Sequence, residues 1–592
     1  MTHRGLPDYS TQSVIPSLRH RHRWFALFVI SLMLTLVRGV NAGGGPMEVM
    51  VLYGAQDDRA RAVADHYLEA RHIPPSHLCA IQGLEPETRT ITFETYQEVI
   101  APALEGCFAA LSYPEEINYI ILVRGLPYRV SLGENGFYTS LSAMIQVHPA
   151  LYTDDTSLAG LPQAQNGNFF ASIENPLFVA GDFESGDFQV ENPYSAAYQA
   201  STGVVRSDAL PLAFARWELR TSQQIQWKNS LFIVHRLDGF DYDDAHALID
   251  RAIEAEATIP QGRLICMAGA DSARSARDPE CEFATRHLEM AGLNGMWLDT
   301  HDAQLSGMEL GALFTGTQNL VDGIDGNTFH PGALVDNLTS FGAVPDNFFC
   351  DEDTAECPAS ESQTSIARFV RAGATGVHGA AAEPLNNSFP NASALLFYTF
   401  GYSAGESWLF SQPYLYWQDI YLGDPLVSPY AERPQVTISW STDDEHEVGQ
   451  PVSITAAHSA GIALLRLFAD GELVKETAGT ELSWQPGGGE GESLRLLAIA
   501  VAHNAPVERP GWPASSQTPL TNTQGWSSRE TILVAPQDDS DGNEDDALTE
   551  DAGCGCSATS GHEPTGVWLW IAVCFLFRSH RRAPTIHHKR VS

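Results

Sequence analysis

The sequence predicts an α/β fold: a three-layer α/β/α body with a parallel sheet, followed by an all-β sandwich. Three observations carry this reading. Strand and helix patterns alternate from Glu48 to Val123 and again from Leu231 onward. Glycine-rich phrases recur between Gly311 and Tyr430 where strands should turn, which is where α/β proteins place their sites. From Pro434 the helical period stops and short alternating segments take over.

Taken in order, Glu48 to Tyr53 reads as a buried strand, and Asp57 to Arg71 as a helix with Ala60, Val63, Ala64, Tyr67 and Leu68 on one face. Ile73-Pro74-Pro75 stops that helix. Leu78 to Ile81 is a second strand. Thr92 to Leu111 is a second helix with a break expected at Pro102, and Tyr119 to Val123 is a β-branched third strand. Strand, helix, strand, helix, strand implies right-handed crossovers and a parallel sheet. From Ser131 to about Thr221 the period weakens into loops and short strands. Leu231 to His235, the helix Tyr242 to Glu256 and Leu264 to Ala268 then resume the α/β rhythm. In the glycine-rich stretch, Met308 to Phe314 is strand-like, Gly332 to Leu338 reads as a helix, and Thr364 to Ala372 as another. Thr375 to His378 is a strand, Ser393 to Phe400 and Ser403 to Phe410 are helices, and Trp417 to Leu422 is the last strand, closed by Asp424-Pro425. Val436 to Trp440, Val452 to Thr455, Ile462 to Ala469, Leu494 to Val501 and Glu530 to Val534 are strands of the sandwich, which reads as immunoglobulin-like; Asp470-Gly471 marks a tight hairpin turn.

At 592 residues and 44% apolar content the chain holds more than one domain. The organisation expected is a leader over 1–42, a first α/β part over 43–130, a loop-rich insertion over 131–225 and a second α/β part over 226–433. The sandwich follows over 434–536, then an acidic linker over 537–566 and a hydrophobic segment with a basic tail over 567–592. The leader rests on Arg19, Arg21 and Arg23, the apolar run Trp24 to Val37, and small residues at Val40-Asn41-Ala42. That run is short for a membrane anchor, so the mature chain is expected to start near Gly43. A formal charge of −39 argues against nucleic acid and anionic lipid as partners, since phosphates would be repelled. The membrane is met only through the two ends.

Export makes cysteines more apt to be bridged than reactive. Cys79, Cys107, Cys266, Cys281, Cys350 and Cys357 leave many connectivities open; proximity favours three neighbouring pairs, Cys350–Cys357 above all. No cysteine or histidine spacing suggests zinc, and no other cofactor is expected. Calcium has two acidic candidates, Gly181 to Asp187 and Asp538 to Asp551, but neither keeps the ordered spacing of a calcium loop. A calcium-dependent adhesion module is one reading of the chain.

The chemistry-bearing positions are few. Arg124 and Arg129 follow the third strand and could bind a carboxylate or phosphate, or pair with nearby acids. Asp238 could serve a site at a strand end or cap the next helix. Ser340 and Thr317 are the candidate nucleophile positions, with His330 and His378 as the nearest bases. Glu383 and Asp424 form a candidate acid/base pair. No nucleophile elbow, P-loop or HExxH motif is present.

Cys554-Gly555-Cys556, the apolar Val567 to Phe577 and Arg578, Arg581 and Arg582 resemble the myxobacterial C-terminal sorting signal, which implies handling by the cell-envelope sorting machinery and display or processing at the cell surface. Tyr119 to Pro127, Arg236-Leu-Asp-Gly239, Pro331-Gly-Ala333 with Leu338-Thr-Ser-Phe-Gly342, Arg371-Ala-Gly-Ala-Thr375 with Glu383-Pro384, and Gly423-Asp-Pro-Leu426 resemble a large family of exported bacterial proteins without an assigned activity. That family in turn resembles the gingipain-type cysteine peptidases, which implies a caspase-like fold. In this alignment of phrases the peptidase histidine falls at Thr317 and its cysteine at Ser340. The expectation is therefore an exported surface protein whose hydrolase-like scaffold serves binding or structure; the alternative is a hydrolase using Ser340 or the Glu383/Asp424 carboxylates.

Overall fold

The structure, a computed structural model, describes residues 44–86, 88–132, 138–148, 173–179, 217–221, 226–229, 231–301, 305–320, 324–350, 357, 363–383, 386–440, 445–503, 505–506, 520–521 and 523–535. The leader, most of the 131–225 insertion, both acidic calcium candidates, Pro384 and the Cys554-Gly555-Cys556 tail lie outside these residues.

Ten strands form one sheet. In chain order they are β1 (Val49–Gly54), β2 (Leu78–Ile81), β3 (Tyr119–Val123), β4 (Ile233–Leu237), β5 (Arg263–Met267), β6 (Gly295–Leu298), β7 (Glu309–Thr315), β8 (Thr328–Asn337), β9 (Gly376–Ala380) and β10 (Asp419–Gly423). Their order across the sheet is β6-β5-β7-β8-β9-β10-β4-β3-β1-β2. Hydrogen-bonded neighbours among β1 to β9 run parallel. β10 is antiparallel to β9 and meets β4 through the Arg236–Leu422 pair. Counted inward from either side, the strands follow one rule: second, first, third, fourth. The chain thus builds two α/β units, β1 to β4 and β5 to β9, mirrored in order about the inserted β10.

The strands are buried on both faces by crossover helices, which is why β3 reads as an unbroken apolar run and why β4 is buried throughout, its His235 and Arg236 included. In the first unit α1 (Asp58–Arg71) and α2 (Ala101–Ala109) make the crossovers, and α3 (Tyr242–Ala257) leads into the second. There α4 (Asp278–Met290) and α5 (Ile366–Arg371) cover the sheet, with α6 (Ser393–Thr399) and α7 (Ala404–Ser411) ahead of β10. Pro102 does not break its helix. A π turn over Tyr96–Ile100 precedes it, so the missing N–H of proline falls where the hydrogen-bond ladder has already shifted.

One element differs in kind from its sequence reading. Gly332 to Leu338 is not a helix: it belongs to β8, paired along Leu334–Asn337 with β7 and along Leu334–Asp336 with β9. The register shifts opposite Leu310/Ala312, and Gly332, at φ 89°, bulges against Ala255 and Pro260. The α4–β6 hairpin, Asp278 to Leu298, has no counterpart in the sequence reading.

After the body, two sheets enclose a separate core. One holds β11 (Gln435–Ser439), β13 (Val452–Ala457) and β16 (Glu481–Trp484). The other holds β12 (Glu445–Glu447), β14 (Ile462–Ala469), β15 (Glu472–Thr477), β17 (Ser493–Ala502) and β18 (Gln524–Val534). Ile438, Val452 and Ile454 from the first meet Leu465, Leu467 and Leu496 from the second. Asp470 and Gly471, both at positive φ, make the tight turn between β14 and β15.

The disulfides are the three neighbouring pairs, Cys79–Cys107, Cys266–Cys281 and Cys350–Cys357, consistent with an exported chain. Among the described residues no helix is long and apolar enough to cross a membrane.

Candidate functional site at the carboxyl edge of the sheet

A parallel sheet gathers its strand ends at one edge, and the crevice opens where the strand order reverses. Here there are two such points, between β1 and β3 and between β5 and β7.

At the first, Arg124 and Arg236 both pair with Asp238. Arg124, just past β3, donates to Asp238 Oδ1 at 2.8 Å, to the Gly239 carbonyl at 2.6 Å and to the Phe348 carbonyl at 3.2 Å. Arg236 donates to Asp238 Oδ2 at 3.0 Å and to the carbonyls of Leu126 and Pro127 at 2.8 and 2.9 Å. All three side chains are buried. Gly125, at φ 100°, passes so close to Tyr242 that a Cβ would stand 3.2 Å from its hydroxyl. Asp57 caps α1 through the amides of Arg59 and Ala60 and also accepts from Tyr242. The Arg-Gly-Leu-Pro phrase is thus a clamp. Arg124 and Asp238 are partners of each other, not a waiting ligand site. Asp238 is not the helix cap either: Asp241 is, accepting from the Asp244 amide. Arg129 is half-buried and donates to Thr90 Oγ1 at 3.0 Å.

At the second, Thr317 follows β7 and Ser340 follows β8, so both lie on this edge. The Thr317 amide donates to Asn337 Oδ1 at 3.2 Å, and its hydroxyl to the His301 carbonyl at 3.3 Å. Ser340 is 7% exposed, in a turn held by Phe341 N donating to Gln363 Oε1 at 2.7 Å. No hydrogen bond among the described residues joins Ser340 to an imidazole. His330 is beside Glu309 near the start of β8, at the opposite end of the strand from Asn337.

His378 sits inside the sheet. Its Nδ1 is 2.6 Å from Asp336 Oδ1, and its Nε2 faces Asp419 Oδ1 at 3.5 Å. Arg277 pairs with the other oxygen of Asp336 and donates to the Thr315 carbonyl at 2.8 Å. Burial opposes the imidazolium, but the hydrogen bond to Asp336 and the nearby Asp419 carboxylate overcome it, and the ring is pushed up to about 9. Burial likewise opposes the Asp336 carboxylate; Arg277 and His378 win, and it is held below the usual range. Asp419 is raised by burial despite His378. Two cations and two anions balance. Phe389, Trp408 and Tyr421 wall the ring. The imidazole is fully buried, and the cavity next to Asp419 and Tyr421 is about 10 Å³, room for about one water. The two aspartates touch opposite nitrogens and cannot converge on one ion; among the described residues no group of three or more His, Cys, Asp or Glu is arranged for a metal.

Glu383 and Asp424 are not a pair. Glu383 is exposed after β9. Asp424 follows the antiparallel β10 and lies at the far end of α1, where Tyr67 donates to it at 2.7 Å and Arg71 closes the ion pair. α1 begins at the carboxyl edge with its cap Asp57 and its 14 residues run about 20 Å away from it. Gly423, at φ 114°, is required there because a Cβ would meet the Thr375 carbonyl at 2.3 Å. Thr317 and Ser340 share an edge; His378 is mid-strand in β9, and Asp424 is at the other end of the sheet.

Arg277, Asp336 and Asp419 were not singled out by the sequence. The available signal was an acid inside an apolar strand, as in Leu334-Val335-Asp336, which burial forces to find a partner.

No family model matches the chain, and no curated protein matches it. Among solved structures it is similar to the fibronectin(III)-like modules of Clostridium thermocellum CbhA, at 15% identity over 17% of this chain and 98% of that one, with a TM-score of 0.12. It is also similar to Parabacteroides merdae beta-glucuronidase, at 11% identity over 51% of this chain and 40% of that one, with a TM-score of 0.12. Scores this low bear on neither fold nor activity.

Proposed function

We propose that the protein is an exported, surface-anchored binding or structural protein whose α/β body is a caspase-like scaffold without thiol-peptidase chemistry, followed by an immunoglobulin-like domain. The supporting observation is the second carboxyl edge. At the strand ends where the resembled peptidases carry histidine and cysteine, this chain has Thr317 and Ser340. The hydroxyl of Thr317 is given to a carbonyl, and the buried imidazole is bonded to Asp336. A serine hydroxyl without a base in hydrogen-bond reach is a weak nucleophile. Anchoring rests on the sorting-signal resemblance of Cys554, Gly555, Cys556 and the segment after them.

The test is labelling of the purified full chain by a serine-reactive phosphonate, with peptide-library cleavage alongside. Neither signal should exceed that of Ser340→Ala. Labelling or cleavage that disappears in Ser340→Ala would establish a hydrolase and end the binding-only reading.

A further inference from the structure

A second well-formed cavity is away from the carboxyl edge. It measures about 230 Å³ and lies between the end of α1 and the sandwich. Its walls are of two kinds. Pro74, Pro75 and Leu497 supply apolar surface; His72 and Arg495 supply polar nitrogens. We propose that this cavity binds a small organic carboxylate with an apolar, ring-sized body, its carboxylate between Arg495 and His72.

Three observations carry the proposal. First, His72 occupies the left-handed position after α1, at φ 58°, which ordinarily goes to glycine or asparagine. The strained residue is held by its ring: Nδ1 is 2.6 Å from Ser528 Oγ on β18. With that hydroxyl donating to Nδ1, the other nitrogen, Nε2, carries the proton, which makes the ring of this cavity-lining residue a donor. Burial and the neighbouring arginines, Arg495 among them, depress the ring below its ordinary value, so it stays a neutral donor. Second, Arg495 is only partly neutralised: Glu530, itself exposed, approaches its Nε at 3.4 Å, and no closer carboxylate pairs with the guanidinium among the described residues. The other carboxylate facing the cavity, Asp470, already accepts from the Arg495 amide at 3.0 Å. Third, the walls are preformed. Arg466 grips Glu116 with two bonds of 2.8 and 2.6 Å, and Arg433 joins Glu256, the Leu426 carbonyl and the Gln524 carbonyl across the same junction. A rigid cleft between two domains, mostly apolar with a few placed donors, is the usual form of a small-molecule site.

The probe is phenylacetate, with uncharged phenylacetamide as its isostere, followed by ligand-observed NMR on the full chain. Phenylacetate should bind more tightly than the amide. Arg495→Gln should weaken phenylacetate about tenfold or more, the loss of one charge-assisted contact, and leave the amide unchanged. Ser76→Phe, at an exposed position on the rim, should block both. Equal binding of the two probes, no binding of phenylacetate, or full binding by Arg495→Gln would each overturn the assignment. Unchanged melting of both variants separates lost binding from lost folding.

Discussion

In the first α/β unit the ends of β3 and β4 carry two arginines clamped on one aspartate. In the second, the matching edge carries one arginine, one histidine and two aspartates. Both clusters are buried, and both stitch loops to strand ends. They differ in what pH can do to them. Arginine stays charged at any pH a protein survives, so the first edge is fixed. Histidine does not, so the second edge carries a charge that can be removed. The comparison separates two uses of one topology: a permanent weld, and a cluster whose balance depends on one proton.

The strongest way to break this contrast is to attack the weld. Asp238→Asn leaves Arg124 and Arg236 buried without a counter-charge, and should cost about 3–5 kcal/mol in chemical denaturation. A loss below about 1 kcal/mol would mean that the carbonyls of Leu126, Pro127, Gly239 and Phe348 suffice, and that the clamp is not electrostatic.

The second edge answers to pH. The folded-state value of His378, about 9, lies above its ordinary 6.5. Its contribution is therefore fully present below pH 6.5 and is lost as pH rises through about 9. The loss amounts to about 3 kcal/mol at most. Stability measured from pH 6 to 10 should fall across that window in the wild type and run flatter in His378→Gln. Equal slopes would show that the imidazolium is not what holds Asp336 and Asp419 together.

How much of this was legible follows from what each signal encodes. Helical period found α1 and α3, because each buries one face; the helices before β10, buried all round, were legible from their length and from the Ser403 cap with Glu406. Buried parallel strands lack alternation, so a short apolar run such as Ala333-Leu334-Val335 carries no period to separate strand from helix, and β8 was misread. The doubled strand order left no trace along the chain, since it is a property of pairing partners. The acid Asp424 looked like half of a catalytic pair because the sequence does not show that β10 runs against β9 and carries it to the other edge. The clamp phrases were conspicuous for the same reason that they are structural: Gly125 and Gly423 are needed where backbone and side chain nearly touch.

The smallest expected difference between the units concerns their disulfides. Cys79–Cys107 ties β2 to α2 across a separation of 28 residues; Cys266–Cys281 ties β5 to α4 across 15. Each closes a strand-to-helix connection, so each should act chiefly on the unfolded chain. In the loop-entropy account stabilisation grows with the logarithm of the loop, and a near-doubling is worth about 0.6 kcal/mol. Paired Cys→Ser variants should therefore lose about 3 kcal/mol apiece, with the Cys79/Cys107 variant lower by that small margin in matched denaturant titrations. A reversed order would point to packing rather than chain entropy, since Cys266 and Cys281 are both buried whereas Cys107 is only partly so. The sign of this difference decides whether the bridges serve the two units alike.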